Sequence, residues 1–199
     1  MPVTTHILET DLLVAGGGIA GVCCALAAAR LGARVMLCQD RSVLGGNASS
    51  EVRMHIVGAT GLSGGEEMQN ELREGGIIEE LRLDLAVQNP QRSPALMDLL
   101  LYDKCRREPN LTVYLNTTIV SAVVEDGLIR EVRAERPSSE DAFIIRAKTF
   151  VDCTGDGRLG IEAGAPFMRG RESKAQFGES LAQDEVDAKT LGSSIMFQA

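Results

Sequence analysis

The chain has 199 residues, with 20 Lys and Arg against 28 Asp and Glu, a formal net charge of -8 and no Trp. That acidic balance with no Lys/Arg-rich run argues against nucleic acid as a partner, and no apolar run is long enough to span a bilayer. The start, MPVTTHILETDLLV, has no basic segment leading into an apolar core and is not a secretory signal.

Five Cys without C-x-x-C spacing and only two His leave no expected metal site. They fit buried thiols in a reducing cytoplasm better than disulfides. Leu12 to Ala15 reads as a short buried strand. It breaks at Gly16, Gly17 and Gly18, and an Ala-rich helix follows through Arg30, closed by Gly32. Arg34 to Cys38 supplies the next strand.

Gly16, Gly18 and Gly21 stand at G-x-G-x-x-G spacing. Gly16 allows a tight turn, Gly18 lets the backbone approach a pyrophosphate, and Gly21 lets helix and strand pack closely. Ile19 and Ala20 open the helix, whose free N–H groups and positive dipole end then face the phosphates. Strand, turn, helix and second strand fall in order, so the stretch reads as a dinucleotide-binding fingerprint rather than a Gly-rich turn without a ligand.

Asp40 to Ser50 is a polar, Gly-bearing loop past a strand's C-terminal end, where ligands sit in open α/β sheets. Val52 to Val57 alternates polar and apolar like a short strand, which would put Arg53 and His55 on one face. A second Gly-rich piece spans Gly58 to Gly65. Helices are expected over Glu66 to Glu74 and Ile77 to Val87, with Pro90 ending the latter. Ser93 and Pro94 read as N-cap and first position of a helix to Arg107, whose stripe Leu96, Leu99, Leu100 and Cys105 is assigned to core packing.

From Leu111 the period changes to strands. LTVYL suits a parallel strand, and TTIVSAVVE and LIREVRAE flank Asp126-Gly127, a hairpin signal. AFIIRAKTF completes a three-stranded antiparallel meander, after which Phe150 to Cys153 leads into a second turn, Thr154-Gly155-Asp156-Gly157.

This order of elements resembles flavoproteins of the glutathione-reductase type. The LGGNASSE segment, with REGGIIEEL after it, is similar more narrowly to the FAD-dependent oxidoreductase family, related to the flavin subunit of heterodisulfide reductase. The resemblance covers essentially the whole chain, although the iron–sulfur cysteines of the heterodisulfide relatives are absent. It implies an α/β, Rossmann-like FAD-binding domain over residues 1–165. That domain would hold a parallel central sheet, a helical insertion at about 66–108 and a meander at about 117–150. Residues 166–199 would begin a second, substrate or cap region of a longer enzyme.

The resemblance also implies FAD as cofactor and hydride transfer between a small organic substrate and flavin N5. The alternatives are an NAD-binding dehydrogenase domain, or a non-catalytic or tRNA-modification-type flavoprotein module. Leu44, Gly45, Gly46, Asn47, Ala48 and Ser49 match the segment running from pyrophosphate toward the flavin ring. Ile119 falls on the adenine side, and Thr154, Gly155 and Asp156 return beneath the cofactor.

The position that usually carries a ribose-binding carboxylate holds Gln39, so the contact falls to Gln39 or to Asp40. Arg41 either lies against the adenine or pairs with a surface carboxylate. His55 is read as a general acid/base, a covalent flavin attachment point, or a hydrogen-bonded structural group. Arg53 would join it in holding a substrate carboxylate or developing oxyanion.

Overall fold

The computed structural model describes residues 4–54, 56 and 74–192. Six strands form one sheet: β1 (Thr4–Ala15), β2 (Val35–Cys38), β3 (Leu111–Tyr114), β4 (Thr118–Glu125), β5 (Leu128–Arg136) and β6 (Asp141–Asp152). Their order is β3-β2-β1-β6-β5-β4, parallel from β3 to β6 and antiparallel from β6 to β4. Among the described residues five α-helices accompany them: α1 (Ile19–Arg30), α2 (Gly76–Gln88), α3 (Pro94–Arg107), α4 (Arg158–Glu162) and α5 (Lys174–Phe177). This is the mixed α/β, Rossmann-like architecture expected from the sequence.

Two strands are longer than the sequence pattern suggests. β1 begins at Thr4 rather than Leu12, and it runs beside β6 from Thr4↔Asp141 to Ala15↔Asp152. The third meander strand and the return strand are therefore one element. Its first half pairs with both β5 and β1, and its second half carries the chain to the cleft. Exposed positions alternate with half-buried His6 and Leu8 before the buried Thr10, which is a one-sided strand rather than a continuous apolar run. The hairpin turn is as expected, with Asp126 at φ 52° and Gly127 at φ 74°, the geometry of a type I′ turn.

Alternation along β1 feeds two cores. Val14 packs with Val22, Ala25 and Leu26 of α1, Leu37 of β2, and Leu101 and Cys105 of α3. Leu13 and Ala15 pack with Ile119, Val132, Phe143 and Ile145 of the meander strands, closed by Leu159 of α4. The α3 stripe is shifted from its expected position: Leu101 and Cys105 are buried, with Met97 against the same core, whereas Leu99 is 58% exposed. Met97, Leu101 and Cys105 follow one another at four-residue steps on one helix face. Ser93 caps α3 as expected, accepting the Leu96 N–H at 3.4 Å.

α1 lies so close to the turn before it that a Cβ on Gly21 would stand 1.9 Å from the Gly16 carbonyl oxygen. Its far end is held by charge. Arg30 pairs with Glu80 at 2.7 Å and with Glu108 at 2.6 Å, and Lys104 also reaches Glu80 and Asp84. Arg30 and Lys104 together pull the Glu80 carboxyl down to about 2. Gly32 then leaves the helix at φ +92°.

At the end of β6, Asp152 acts as a clasp. Its carboxylate accepts the Thr154 N–H at 2.9 Å, the Thr154 hydroxyl at 2.6 Å and the Gly160 N–H at 2.8 Å. Thr154 Oγ1 in turn accepts the Arg158 N–H at 2.7 Å, joining turn and α4. Beyond α4, Arg171 pairs with Asp187, while Phe167, Phe177 and Leu181 remain exposed. None of the described helices is long and apolar enough to cross a membrane.

Gly21→Ala should destabilise the fold by about 3 kcal/mol, the upper end of overpacking costs, because the new methyl meets backbone. Gly32→Ala meets nothing within 4 Å and should cost only about 1–2 kcal/mol, from its positive φ. Urea unfolding of the two variants checks the order. A second expectation concerns Asp152. Burial alone would raise its carboxyl, but the hydrogen bonds from Thr154, Gly160 and Leu159 outweigh burial and hold it below its ordinary value. A carboxylate depressed in the folded state contributes stability above its unfolded pKa, near 4, and loses it as pH falls through the folded one. The stability gap between wild type and Asp152→Asn should therefore be constant from about pH 5 to 8 and narrow below about pH 4. A gap that widens on acidification would show that the clasp works in its protonated form.

Candidate functional site

The ends of β1, β2 and β6 open into a cleft of about 1060 Å³, walled by the Gly16–Gly18 turn, the residues after β2, the start of β4 and the turn after β6. This is the place that an open α/β sheet offers a ligand, and the volume is at the large end for small-molecule sites.

Its floor is backbone. Gly16 leaves β1 at φ +93°, and a Cβ there would meet the Cys153 carbonyl at 2.5 Å. The Gly45 N–H donates to the Gly17 carbonyl at 2.8 Å, and Gly18 and Gly45 form a parallel bridge. Gly45 and Gly46 carry φ of +108° and +57°, and a Cβ on Gly46 would stand 3.1 Å from the Gly18 Cα. The two Gly segments thus lie directly against each other.

Gly18 itself faces open space: a Cβ built there meets nothing within 4 Å. It is the N-cap of α1, and the first helical bond runs from the Val22 N–H to the Gly18 carbonyl. The N–H groups of Ile19, Ala20 and Gly21 therefore have no partner within the helix, and no acidic side chain occupies the first turn. An anion placed over Gly18 would meet free donors and the positive end of the helix dipole.

The structure brings Gly16, Gly18, Ile19 and Ala20 together with Gln39, Asp40 and Arg41 on the cleft wall. Gly45, Gly46, Asn47 and Ala48 line it too, as do Ile119, Thr154, Gly155 and Asp156. Three predicted residues lie behind the wall instead. Gly21 is packed under the Gly16 carbonyl, Leu44 is fully buried against Gly17, and Ser49 is fully buried with its hydroxyl accepting the Glu51 N–H at 3.3 Å. They support the cleft without facing it.

Arg53 is also displaced. No strand forms at 51–54, and Arg53 sits at φ +65° with its N–H bonded to the Ser49 carbonyl at 2.7 Å. A left-handed residue breaks the alternation of a strand, and the Arg53 guanidinium folds back onto the Ser50 carbonyl at 3.2 Å. Its neighbours Val52 and Met54 line the cleft; Arg53 does not. His55, the Gly58–Gly65 piece and all but the last residue of the expected 66–74 helix lie outside the described residues.

Of the two readings for Arg41, the structure has the ion pair, with Glu51 at 3.1 Å. Arg158, which also lines the cleft, pairs with Glu162 at 2.7 Å. Both were within reach of sequence reasoning or just beyond it: Arg158 follows directly on the Gly155–Gly157 turn. Thr117 and Thr118, immediately before Ile119, also line the cleft, Thr118 opening β4 and Thr117 standing just before it. Thr117 is buried, donates its N–H to the Gln39 carbonyl at 2.8 Å, and accepts from Arg136 Nε at 3.1 Å. The Arg136 guanidinium in turn lies against the rings of both Tyr114 and Phe143, which pack edge to face with each other.

Three cysteines line the cleft, Cys23, Cys38 and Cys153, of which Cys38 is buried. Burial pushes the Cys38 thiol up to about 12 and raises those of Cys23 and Cys153. At neutral pH they are thiols, apolar wall rather than nucleophiles.

No curated protein matches the sequence at a significant level. Solved structures do share the fold. A geranylgeranyl bacteriochlorophyll reductase-like protein from Thermoplasma acidophilum aligns at TM-score 0.56 with 16% identity, over 83% of this chain and 45% of its own. THI4 from Thermovibrio ammonificans aligns at 0.52 with 20% identity, over 86% of this chain and 64% of its own. The myxobacterial chondrochloren halogenase CndH, described as a variant of FAD-dependent halogenases, aligns at 0.52 with 17% identity, over 78% and 39%. The chain thus spans less than two thirds of each. The model of the FAD dependent oxidoreductase family matches residues 11–198, so the chain belongs to that family and its cofactor is FAD.

Proposed function

We propose that the protein transfers a hydride between a small organic substrate and FAD, and that this chain's cleft holds the cofactor's ADP half and leads toward its flavin. The observation that carries the reading is Gly18: side-chain-free, open to the cleft, and set at the N-terminus of a helix with unpaired N–H groups. Arg41 and Arg158, both on the cleft wall, already pair with Glu51 and Glu162. The start of α1 offers a pyrophosphate its backbone N–H groups and the positive end of the helix dipole.

In this reading Gly45, Gly46, Asn47 and Ala48 continue the path from pyrophosphate toward the ring, their small size letting backbone lie against the cofactor. Thr117 and Ile119 form the adenine side. Thr154, Gly155 and Asp156 close the cleft from the β6 end, held in place by the Asp152 clasp. Bound FAD supplies N5 as the hydride acceptor or donor, and the protein's part is to bind, orient and shield it.

Gly18→Val separates binding from folding. Gly18 has φ -62° and ψ 177°, a conformation that valine adopts freely, and its Cβ points into open space. The variant should melt within a few degrees of wild type while its branched side chain occupies the pyrophosphate position. Supernatant from boiled wild-type protein should release FAD on chromatography, and Gly18→Val should retain less than about a tenth as much. Release of NAD with no flavin, or full FAD content in the variant, would overturn the assignment.

A further inference from the structure

We infer that Asp98, on α3, is a positioning residue for the flavin half of the cofactor, acting through the Ser50 N–H on the segment that walls that part of the cleft. The inference rests on the reading of the cleft given above, in which Gly45, Gly46, Asn47 and Ala48 lead from pyrophosphate to ring, and concerns what holds that segment in place.

The segment has little to hold it from within. Gly45 and Gly46 take left-handed φ of +108° and +57°, and a single 3-10 turn over Gly46–Ala48 follows. The Arg53 N–H returns to the Ser49 carbonyl at 2.7 Å and the Met54 N–H to the Asn47 carbonyl at 2.8 Å. Both bonds are internal to residues 47–54, so they fix the shape of this stretch and not its place. The ion pair of Glu51 with Arg41 ties it to the residues after β2, but the Arg41 side chain is 63% exposed, and such a pair holds little.

α3 supplies the anchorage. A Cβ on Gly45 would stand 3.0 Å from Leu101 Cδ1, so the helix lies directly against the first residue of the segment. One turn earlier on the same helix face, the Asp98 carboxylate accepts the Ser50 N–H at 2.9 Å. Two side chains a turn apart thus grip the segment at both ends, and Gly46, Asn47 and Ala48, which line the cleft, bridge between them. Asp98 is half-buried, and its charge makes the bond to Ser50 stronger than a neutral one. It is not itself on the cleft wall, so its effect on a ligand passes through Ser50. The donors for the ADP half stand at the start of α1, outside this grip.

Titration of the purified protein, stripped of cofactor, with FAD by flavin fluorescence and with ADP by calorimetry tests this. Asp98→Ala should weaken FAD binding by about tenfold or more, the worth of a hydrogen bond to a charged group, and leave ADP within about twofold. The absorption bands of the flavin bound to that variant should move toward those of free FAD. Asp98→Asn should bring FAD affinity back to within about threefold of wild type, because the amide oxygen accepts the same N–H. Unchanged FAD binding in Asp98→Ala, equal weakening of FAD and ADP, or an Asn variant no better than Ala overturns the assignment while the cofactor reading stands. Failure of wild type to bind either ligand overturns both.

Discussion

The close approach of bare backbone at Gly16, Gly17 and Gly18 is the constraint on which the remaining architecture depends. Four pieces of chain meet there, with backbone against backbone at Gly16 and Gly21 and the side chains of Gln39 and Leu44 against Gly17. The Gly16 N–H reaches the Cys38 carbonyl, tying the turn to β2. The Gly16 carbonyl lies under Gly21 of α1, and the Cys153 backbone of β6 presses on the other side of Gly16. Gly17 takes its hydrogen bonds from Gly45 and to Gln39. A methyl group at Gly16, Gly17 or Gly21 would stand under 3 Å from a neighbour, so α1, β6 and the 45–46 segment could not all keep their places. Gly18 alone is free of such crowding, which is why it can face a ligand.

The chemistry of the cleft follows from the same arrangement. With the floor made of backbone, the cleft offers an anion the N–H groups at the start of α1 and the positive end of the helix dipole. Arg41 and Arg158 on its wall are already paired, and the thiols of Cys38 and Cys153 stay protonated because burial disfavours thiolate. The protein thus presents a preorganised and chemically quiet cradle, as befits a fold in which the cofactor carries the redox step.

Sequence reading reached the glycines of the cleft more surely than its side chains. Each of these glycines is marked by the spacing of its motif, even where the backbone it admits is distant in sequence, as Cys153 is for Gly16 and Gly18 is for Gly46. Leu44 and Ser49 carry no such mark. They sit in the same short segment as Gly45 and Asn47, and only the 3-10 turn at Gly46–Ala48 decides which of them face the cleft and which face the core. Arg53 was misplaced for a related reason. Polar–apolar alternation over a few residues suits a strand, but a strand needs a partner, and the 51–54 stretch has none among the described residues while Arg53 takes a left-handed conformation.

The sequence by itself determined the α/β class, the βαβ fingerprint, the Asp126–Gly127 hairpin and the Ser93 cap, because each rests on propensities and hydrogen bonds spanning a few residues. Tertiary structure decided what depends on distant partners. Thr4 to Asp11 became strand only because β6 lies alongside, and β6 became one 12-residue element because β1 continues beside it after β5 ends. The burial of Gln39 beside an exposed Asp40 is of the same kind. Nothing in two adjacent polar residues says which will turn inward; the Gly17 N–H and the Val43 carbonyl, brought within reach by the folded loop, settle it for Gln39.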